Sequence, residues 1–240
     1  MTALEFPPPP LPYATKAELG QDEIEDLAKE TREALRLDPQ KPVPHVTRAL
    51  ERGGVAVAPI VFQELISDSD ARPTGHYGVS YWGGVGAPAL VGYFPGKNGD
   101  RDRLTLAHEL GHLVLHTFRP KASDAEREAF KFAGAFLMPR ERAEEELSER
   151  LLLTDYARLK AKWGMSIQAL IMRGRSLGII GDSRYRSLFV QLSQKGWRKN
   201  EPVAVGSEDP QLLWKLLTRR YGPRPYVEAS EDLAIPAAVL

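Results

Sequence analysis

Apolar residues recur every three or four positions along most of the chain, which is the spacing of one buried face of an α-helix. Prolines and glycines interrupt this pattern at intervals and separate the apolar runs. The pattern predicts helices over residues 21–37, 43–51, 104–116, 121–139, 141–153, 155–163, 166–177, 183–196 and 210–221. Leucines occur on all sides of the helix over 104–116, so we expect this helix to be largely buried.

Three short apolar segments before that helix are typical of β-strands. They cover residues 55–58, 77–82 and 89–94, and Gly83–Pro88 would form the turn between the last two. We therefore predict an α+β fold, in which helices surround a small, mostly antiparallel sheet. Ala89–Phe94 is the predicted edge strand, because its glycine and the adjacent prolines would discourage pairing with other chains.

Changes in composition divide the chain into three parts. Residues 1–20 form a proline-rich tail, in which the run PPPPLP favours polyproline II. Residues 21–153 form a domain that contains the sheet and the buried helix. Residues 154–240 form a small helical C-terminal region with a tail.

The overall composition narrows the possible functions. Lys plus Arg and Asp plus Glu both number 32, whereas nucleic-acid binders usually show a basic excess, so direct nucleic-acid binding is not expected. The chain has no cysteine, which excludes disulfides and leaves histidine and carboxylate to bind any metal. No apolar run approaches the roughly 18 residues of a membrane span, and the N-terminus lacks the pattern of a signal peptide. We expect a cytoplasmic protein without a membrane partner.

One motif carries clear chemistry, the sequence HELGH at residues 108–112. Four residues along a helix turn by about 400°, so His108 and His112 lie on one face and can bind one ion. Neutral imidazole is a good ligand of Zn²⁺, and Glu109 is placed to take a proton from a water on the metal. H-E-x-x-H is the signature of zinc peptidases. We therefore predict one Zn²⁺ per chain, with Glu109 as the general base.

A catalytic zinc usually has a third protein ligand, which should come from the predicted helix after the motif. Glu126 points along the mean direction of that helix's apolar positions, whereas Glu128 points more than about 100° away from Glu126 by helical geometry. A buried carboxylate is costly unless it is paired or bound to metal. Glu126 is therefore the predicted third ligand, and Glu128, expected to be solvated, is the alternative.

Three further side chains near the motif have open roles. His116, one turn after His112, is interpreted as a residue at the solvent edge or in support of the ligands rather than as a ligand. His76 and Tyr77 could donate hydrogen bonds to an oxyanion, although structural roles are favoured for both.

The segment RDRLTLAHELGHLVLH, followed by EREAFKFAGAFLMP, resembles the ImmA/IrrE family of metallo-endopeptidases. Two independent motifs occur in the order of that family, and the likeness covers about residues 55–139. One position differs, because Phe130 stands where the family commonly has Asn or Asp. The resemblance implies a zincin-like metallopeptidase domain.

The resemblance also implies a substrate and a biological role. Members of the family cleave helix-turn-helix repressors of the XRE type in the bacterial cytoplasm, after stress or induction, and so derepress genes. The protein partner implied for this chain is therefore an XRE-type repressor.

Two other functions stay open on the sequence alone. The chain could bind metal and sequester a repressor without cutting it, which Phe130 at the family's polar position favours. Residues 155–177 could instead form a DNA-binding helix-turn-helix, because Gly164 and Ser166 are typical of the turn and four basic residues lie nearby.

Overall fold

The computed structural model describes residues 7–60, 77–119 and 122–234. Ten helices and three strands occur within these ranges. The helices are α1 (Gln21–Ala34), α2 (Val46–Arg52), α3 (Gly99–His116), α4 (Ala125–Leu137), α5 (Arg140–Glu146), α6 (Leu153–Trp163), α7 (Ile167–Ser176), α8 (Asp182–Gln194), α9 (Leu212–Tyr221) and α10 (Tyr226–Leu233). The predicted α+β class is confirmed, although α5 ends earlier than expected and α10 was not predicted.

The strands β1 (Val55–Pro59), β2 (Gly78–Trp82) and β3 (Ala89–Tyr93) form one sheet in the order β1-β3-β2. β2 and β3 are antiparallel, but β1 runs parallel to β3, so the sheet is mixed rather than mostly antiparallel. The prediction that 89–94 is the edge strand is wrong, because β3 has a partner on each side. Ala89, Val91 and Tyr93 of β3 are buried, so one face of this strand lies against the core. Among the described strands, β1 and β2 each have an unpaired edge.

The helix that carries the HELGH motif lies at the centre of the fold. α3 packs against α4, β2, β3 and α2. Leu106, Leu110, Val114 and Leu115 are almost completely buried, as expected for a helix that is apolar on all sides. Asn98 precedes α3, and Asp100 and Asp102 lie in its first turn, where negative charge is favourable. Burial on several sides fixes α3 as the frame on which the site is built.

The segment before α1 is docked on the domain rather than extended as a tail. Leu11 and Ala14 are buried, and the Ala14 N–H donates to the Val114 carbonyl at 2.9 Å. The ring of Tyr13 stacks on Trp82 of β2 with centroids 5.3 Å apart. The residues from 11 to 14 therefore brace both α3 and β2.

The helices after α5 share the buried core with the helices before it. Buried apolar residues from Leu11 to Leu192 form one cluster. Gly164 adopts a left-handed conformation at the end of α6, and Ser166 caps α7 through its hydroxyl. The division at residue 153 stays a prediction, and the core passes across it.

The basic residues of the proposed helix-turn-helix are engaged within the protein. Lys160 is buried between Asp100 and Glu201, and Arg173 is buried against Glu25. Lys162 pairs with Glu146, and Arg175 pairs with Asp182. Their positive charges are therefore paired within the protein, which weakens the charge argument for DNA binding, while the turn at Gly164 and Ser166 serves the packing of α6 against α7.

None of the described helices is long and apolar enough to cross a membrane.

Candidate metal centre

The metal-ligand candidates of α3 lie on one face of the helix, as the motif requires. His108 and His112 are one turn apart, and their Nε2 atoms are 3.1 Å from each other. The two rings meet edge to face with centroids 4.7 Å apart. His108 is buried and His112 is partly buried, so both rings are held by their surroundings.

Glu126 reaches these rings from α4. Its Oε2 atom lies 3.2 Å from Nε2 of His108, and its Oε1 atom lies 3.4 Å from Nε2 of His112. One potential ligand atom from each of the three residues falls within 4.8 Å of the others. Two imidazole nitrogens and a carboxylate oxygen therefore converge from two helices, and this donor set suits zinc.

The burial predicted for the two glutamates is wrong. The Glu126 side chain is 64% exposed, whereas the Glu128 side chain is only 15% exposed. Glu128 is partly buried because Arg119 and His116 approach it, which a helical projection of α4 alone could not show. Glu126 reaches the two histidines from the solvent-exposed side of the site.

Burial keeps the motif histidines neutral. The pKa of His112 is lowered to about 4, mainly by burial and also by the neighbouring His108 and His116, against the opposing effect of Glu126. The pKa of His108 is also lowered, mainly by burial, although Glu126 acts in the opposite direction. A neutral imidazole offers the lone pair that a metal ligand needs.

His116, Glu128 and Arg119 form a connected set behind His112. Nδ1 of His112 lies 3.0 Å from Nδ1 of His116, and Nε2 of His116 lies 3.1 Å from Oε2 of Glu128. Arg119 donates to the same Oε2 atom at 2.5 Å and to Oε1 at 3.4 Å. Burial alone would raise the pKa of Glu128, but the hydrogen bonds from Arg119 and His116 lower it on balance.

Glu109 lies between the motif histidines and β2. It is buried, and a Cβ atom added to Gly78 would come within 2.8 Å of the Glu109 carboxylate oxygen Oε1. Glycine at this position therefore allows the strand to approach the carboxylate closely. The motif thus presents Glu109 toward β2, one of the two edge strands of the sheet.

The site opens into a cleft of about 1240 Å³. The cleft is lined by residues of β2, α3, α4 and α7 and by Tyr185 of α8. The apolar lining residues include Tyr77, Val79, Tyr81, Trp82, Leu104, Phe130, Met172 and Tyr185. The cleft follows β2, and its volume is sufficient for a short peptide segment.

Other residues considered from the sequence fall in different places. Tyr77 lines the cleft, whereas His76 lies outside the described residues. Phe130 packs on the ring of His108 with centroids 4.2 Å apart and is half-exposed toward the cleft.

The sequence reasoning missed Arg119 and Met172. Arg119 had one possible signal, since it follows His116 by three positions and would share its side of a continued helix. Met172 had none, because its place in the cleft depends on how α7 packs against α4.

Comparison with known protein families agrees with this geometry. Residues 77–174 match the family described as the IrrE N-terminal-like domain, Peptidase_M78. The matched segment begins at β2 and ends within α7, so it contains all four motif and ligand candidates. The match supports the resemblance to ImmA/IrrE metallopeptidases that the sequence predicted, and the helices and small sheet are consistent with a zincin-like domain. No curated protein matches the chain.

Proposed function

We propose that the chain is a zinc-dependent endopeptidase that cleaves an XRE-type helix-turn-helix repressor in the cytoplasm and thereby derepresses genes, for example after stress. The convergence of His108, His112 and Glu126 beside Glu109, at the floor of a peptide-sized cleft, carries this proposal. The family match supports a metallopeptidase. The repressor as substrate follows from the family resemblance.

The three ligand candidates fit a catalytic zinc site. Such sites combine three protein ligands from histidine and carboxylate with one open position, and Glu126 stands on the exposed side of the cluster. When bound, zinc would supply Lewis-acid activation of water and of the scissile carbonyl. His108, His112 and Glu126 would hold it, one zinc per chain.

Glu109 would act as the general base and then as the general acid. Its carboxylate lies against β2 and lines the same cleft as the three ligand candidates. A peptide bond of a substrate in this cleft would therefore lie close to it. It would accept the proton of the attacking water and deliver it to the leaving amine. Because Glu109 would not be a metal ligand, replacing it should leave metal binding intact.

The edge of β2 that has no partner among the described strands would bind the substrate as an additional strand. The Phe94 N–H donates to the Tyr77 carbonyl at 2.9 Å, which marks residues 77, 79 and 81 as the positions that bond to β3. The N–H and carbonyl groups of Gly78, Ser80 and Trp82 therefore point outward. Pairing with them gives affinity through the backbone and makes few demands on the substrate sequence.

The experiment is cleavage of XRE-type repressors from the same genome, each co-expressed with the full chain and followed by immunoblot. Wild type should convert at least one repressor to fragments. Glu109→Gln should keep zinc and lose cleavage by several orders of magnitude. The control Glu145→Gln changes an exposed glutamate on α5 and should cleave normally. Fragments formed equally by Glu109→Gln would rule out the mechanism.

The same variants separate cleavage from sequestration. A chain that only binds and sequesters a repressor needs no general base, so Glu109→Gln would still derepress a reporter gene. Phe130 at the family's polar position is the observation behind this alternative. Its ring covers His108 without removing either histidine or Glu126 from the cluster, so the peptidase is the function that the site supports better.

A further inference from the structure

We propose that Arg119, Glu128 and His116 form a positioning relay that holds His112 with its Nδ1 protonated and its Nε2 directed to the metal. The relay goes beyond the three ligands and rests on the proposed function, since it assumes a metal at Nε2. It assigns positioning roles to three residues that the H-E-x-x-H motif does not include.

The directions of the hydrogen bonds follow from the chemistry of the groups. An ionised carboxylate only accepts, so Glu128 requires a hydrogen on Nε2 of His116, 3.1 Å away. A neutral His116 then has a lone pair on Nδ1, which can only accept. The hydrogen between the two Nδ1 atoms, 3.0 Å apart, must therefore belong to His112. His112 is left with an unprotonated Nε2, which is the atom that faces His108 and Glu126.

Arg119 anchors the far end of the relay to the backbone. Its side chain is 1% exposed and donates to the carbonyls of Lys16 at 2.9 Å and Ala17 at 2.7 Å. The same guanidinium binds Glu128. The segment before α1 thus fixes the arginine, the arginine fixes the carboxylate, and the carboxylate orients His116. A hydrogen-bonded partner of this kind sets the tautomer and the ring orientation of a ligating histidine.

The other histidine of the motif lacks such support. Nδ1 of His108 is buried and has no hydrogen-bond partner in the part of the chain that the structure describes. Its ring is held by packing on Phe130 instead. The two ligands are therefore supported differently, and the polar support belongs to His112.

The chain contains a matched trio that serves as a control. Glu208 bridges Arg103 and His45, as Glu128 bridges Arg119 and His116, and both carboxylates are largely buried. The trio of Glu208 joins the loop before α9 to α2 and α3 and does not line the cleft. Removing Glu208 should cost stability without touching the metal site.

The test measures zinc affinity of the full chain by competition with a chromophoric chelator. His116→Phe and Glu128→Ala should lower the affinity about 10- to 100-fold, the usual effect of losing an outer partner of a metal ligand. The controls His45→Phe and Glu208→Ala should bind zinc as wild type does. Wild-type affinity in both relay variants would overturn the relay, and so would equal losses in relay variants and controls.

A second measurement needs no variant and covers the case in which a variant fails to fold. Nitrogen-15 NMR of histidine-labelled, zinc-loaded wild type should show a hydrogen on Nδ1 of His112 and on Nε2 of His116. A hydrogen on Nδ1 of His116 would overturn the relay. If wild type binds no zinc at all, the proposed function fails. If it binds zinc but shows other tautomers, only the relay fails.

Discussion

Gly111 of α3 and Ala129 of α4 lie in direct backbone contact. A Cβ atom on Gly111 would stand 3.2 Å from the Cα atom and from the carbonyl oxygen of Ala129. Gly111 lies between the two motif histidines, and Ala129 lies one turn after Glu126. The close approach of the two helices at this point therefore brings the carboxylate of α4 within reach of the imidazoles of α3.

Gly111→Val is expected to separate the helices and weaken the metal site. Overpacking of this kind costs about 1–3 kcal/mol, and movement of α4 would carry Glu126 away from His108 and His112. Zinc affinity and urea unfolding should both fall. Arg101→Val, at an exposed position of the same helix, controls for the helix propensity of valine. Unchanged zinc affinity in Gly111→Val would show that the contact does not position Glu126.

Ser80→Pro is expected to impair substrate binding without changing zinc content. Proline removes an N–H that points outward from β2, so the ladder with β3 keeps its own hydrogen bonds. The KM for a cleaved peptide should rise, because a hydrogen bond to the added strand is lost.

Two variants complete the test of the β2 edge. Ser80→Ala retains the N–H and should behave as wild type, which separates the backbone from the hydroxyl. Val79→Pro removes a hydrogen bond to β3 and should destabilise the sheet itself. If Ser80→Pro cleaves with wild-type KM, the substrate does not pair at this position.

Arg173→Ala is expected to destabilise the whole chain. Arg173 donates to both carboxylate oxygens of Glu25, at 2.5 and 2.7 Å, and to the Met138 carbonyl at 3.1 Å. Leaving a buried partner uncompensated costs about 3–5 kcal/mol. Arg175→Ala on the same helix breaks an exposed pair and should cost at most about 1 kcal/mol. Urea unfolding compares the two. If both variants lose only a similar, small amount of unfolding free energy, the residues 21–153 and 154–240 form independent units.

Glu146 gives an expected pH dependence. Burial alone would raise the pKa of Glu146, but hydrogen bonds from Lys162, Trp163 and Arg142 lower it on balance. The unfolded chain therefore takes up this proton at higher pH than the folded chain. The stability that Glu146 contributes is present above the usual carboxyl pKa and is lost as the pH falls through the lowered value.

Glu146→Gln tests this dependence by urea unfolding over a range of pH. The variant should be less stable than wild type by about 1–3 kcal/mol at neutral pH, since charged hydrogen bonds are weakened. The difference should shrink in acid. Glu145→Gln, at an exposed neighbour, should show no comparable difference. If Glu146→Gln lowers the free energy of unfolding equally at every pH, the substitution acts through packing and not through the charge of Glu146.

Much of the fold was predictable because its signals are local. The periodicity that places His108 and His112 on one face needs only the geometry of one helix, and α3 forms as expected. The strands also lie close to their predicted positions. The order of the strands was not predictable in the same way, because β3 becomes central only when β1 crosses over to pair with it.

The two glutamates show where local reasoning fails at the site. The helical projection of α4 directed Glu126 to the core and Glu128 to solvent, whereas Glu126 is exposed beside the motif histidines and Glu128 is the less exposed of the two. Burial of Glu128 depends on Arg119, which lies beyond the end of α3, and on the carbonyls of Lys16 and Ala17, which are more than a hundred positions away. Such contacts follow from tertiary packing and leave no periodic signal.

The most direct test of the metallopeptidase site is zinc per chain, measured by native mass spectrometry after zinc is supplied. Wild type should carry one zinc, His112→Ala and Glu126→Ala should lose or weaken it, and Asp124→Ala, at an exposed carboxylate just before α4, should retain it. No zinc on wild type would contradict the account. Zinc held equally well by Glu126→Ala would contradict the third ligand.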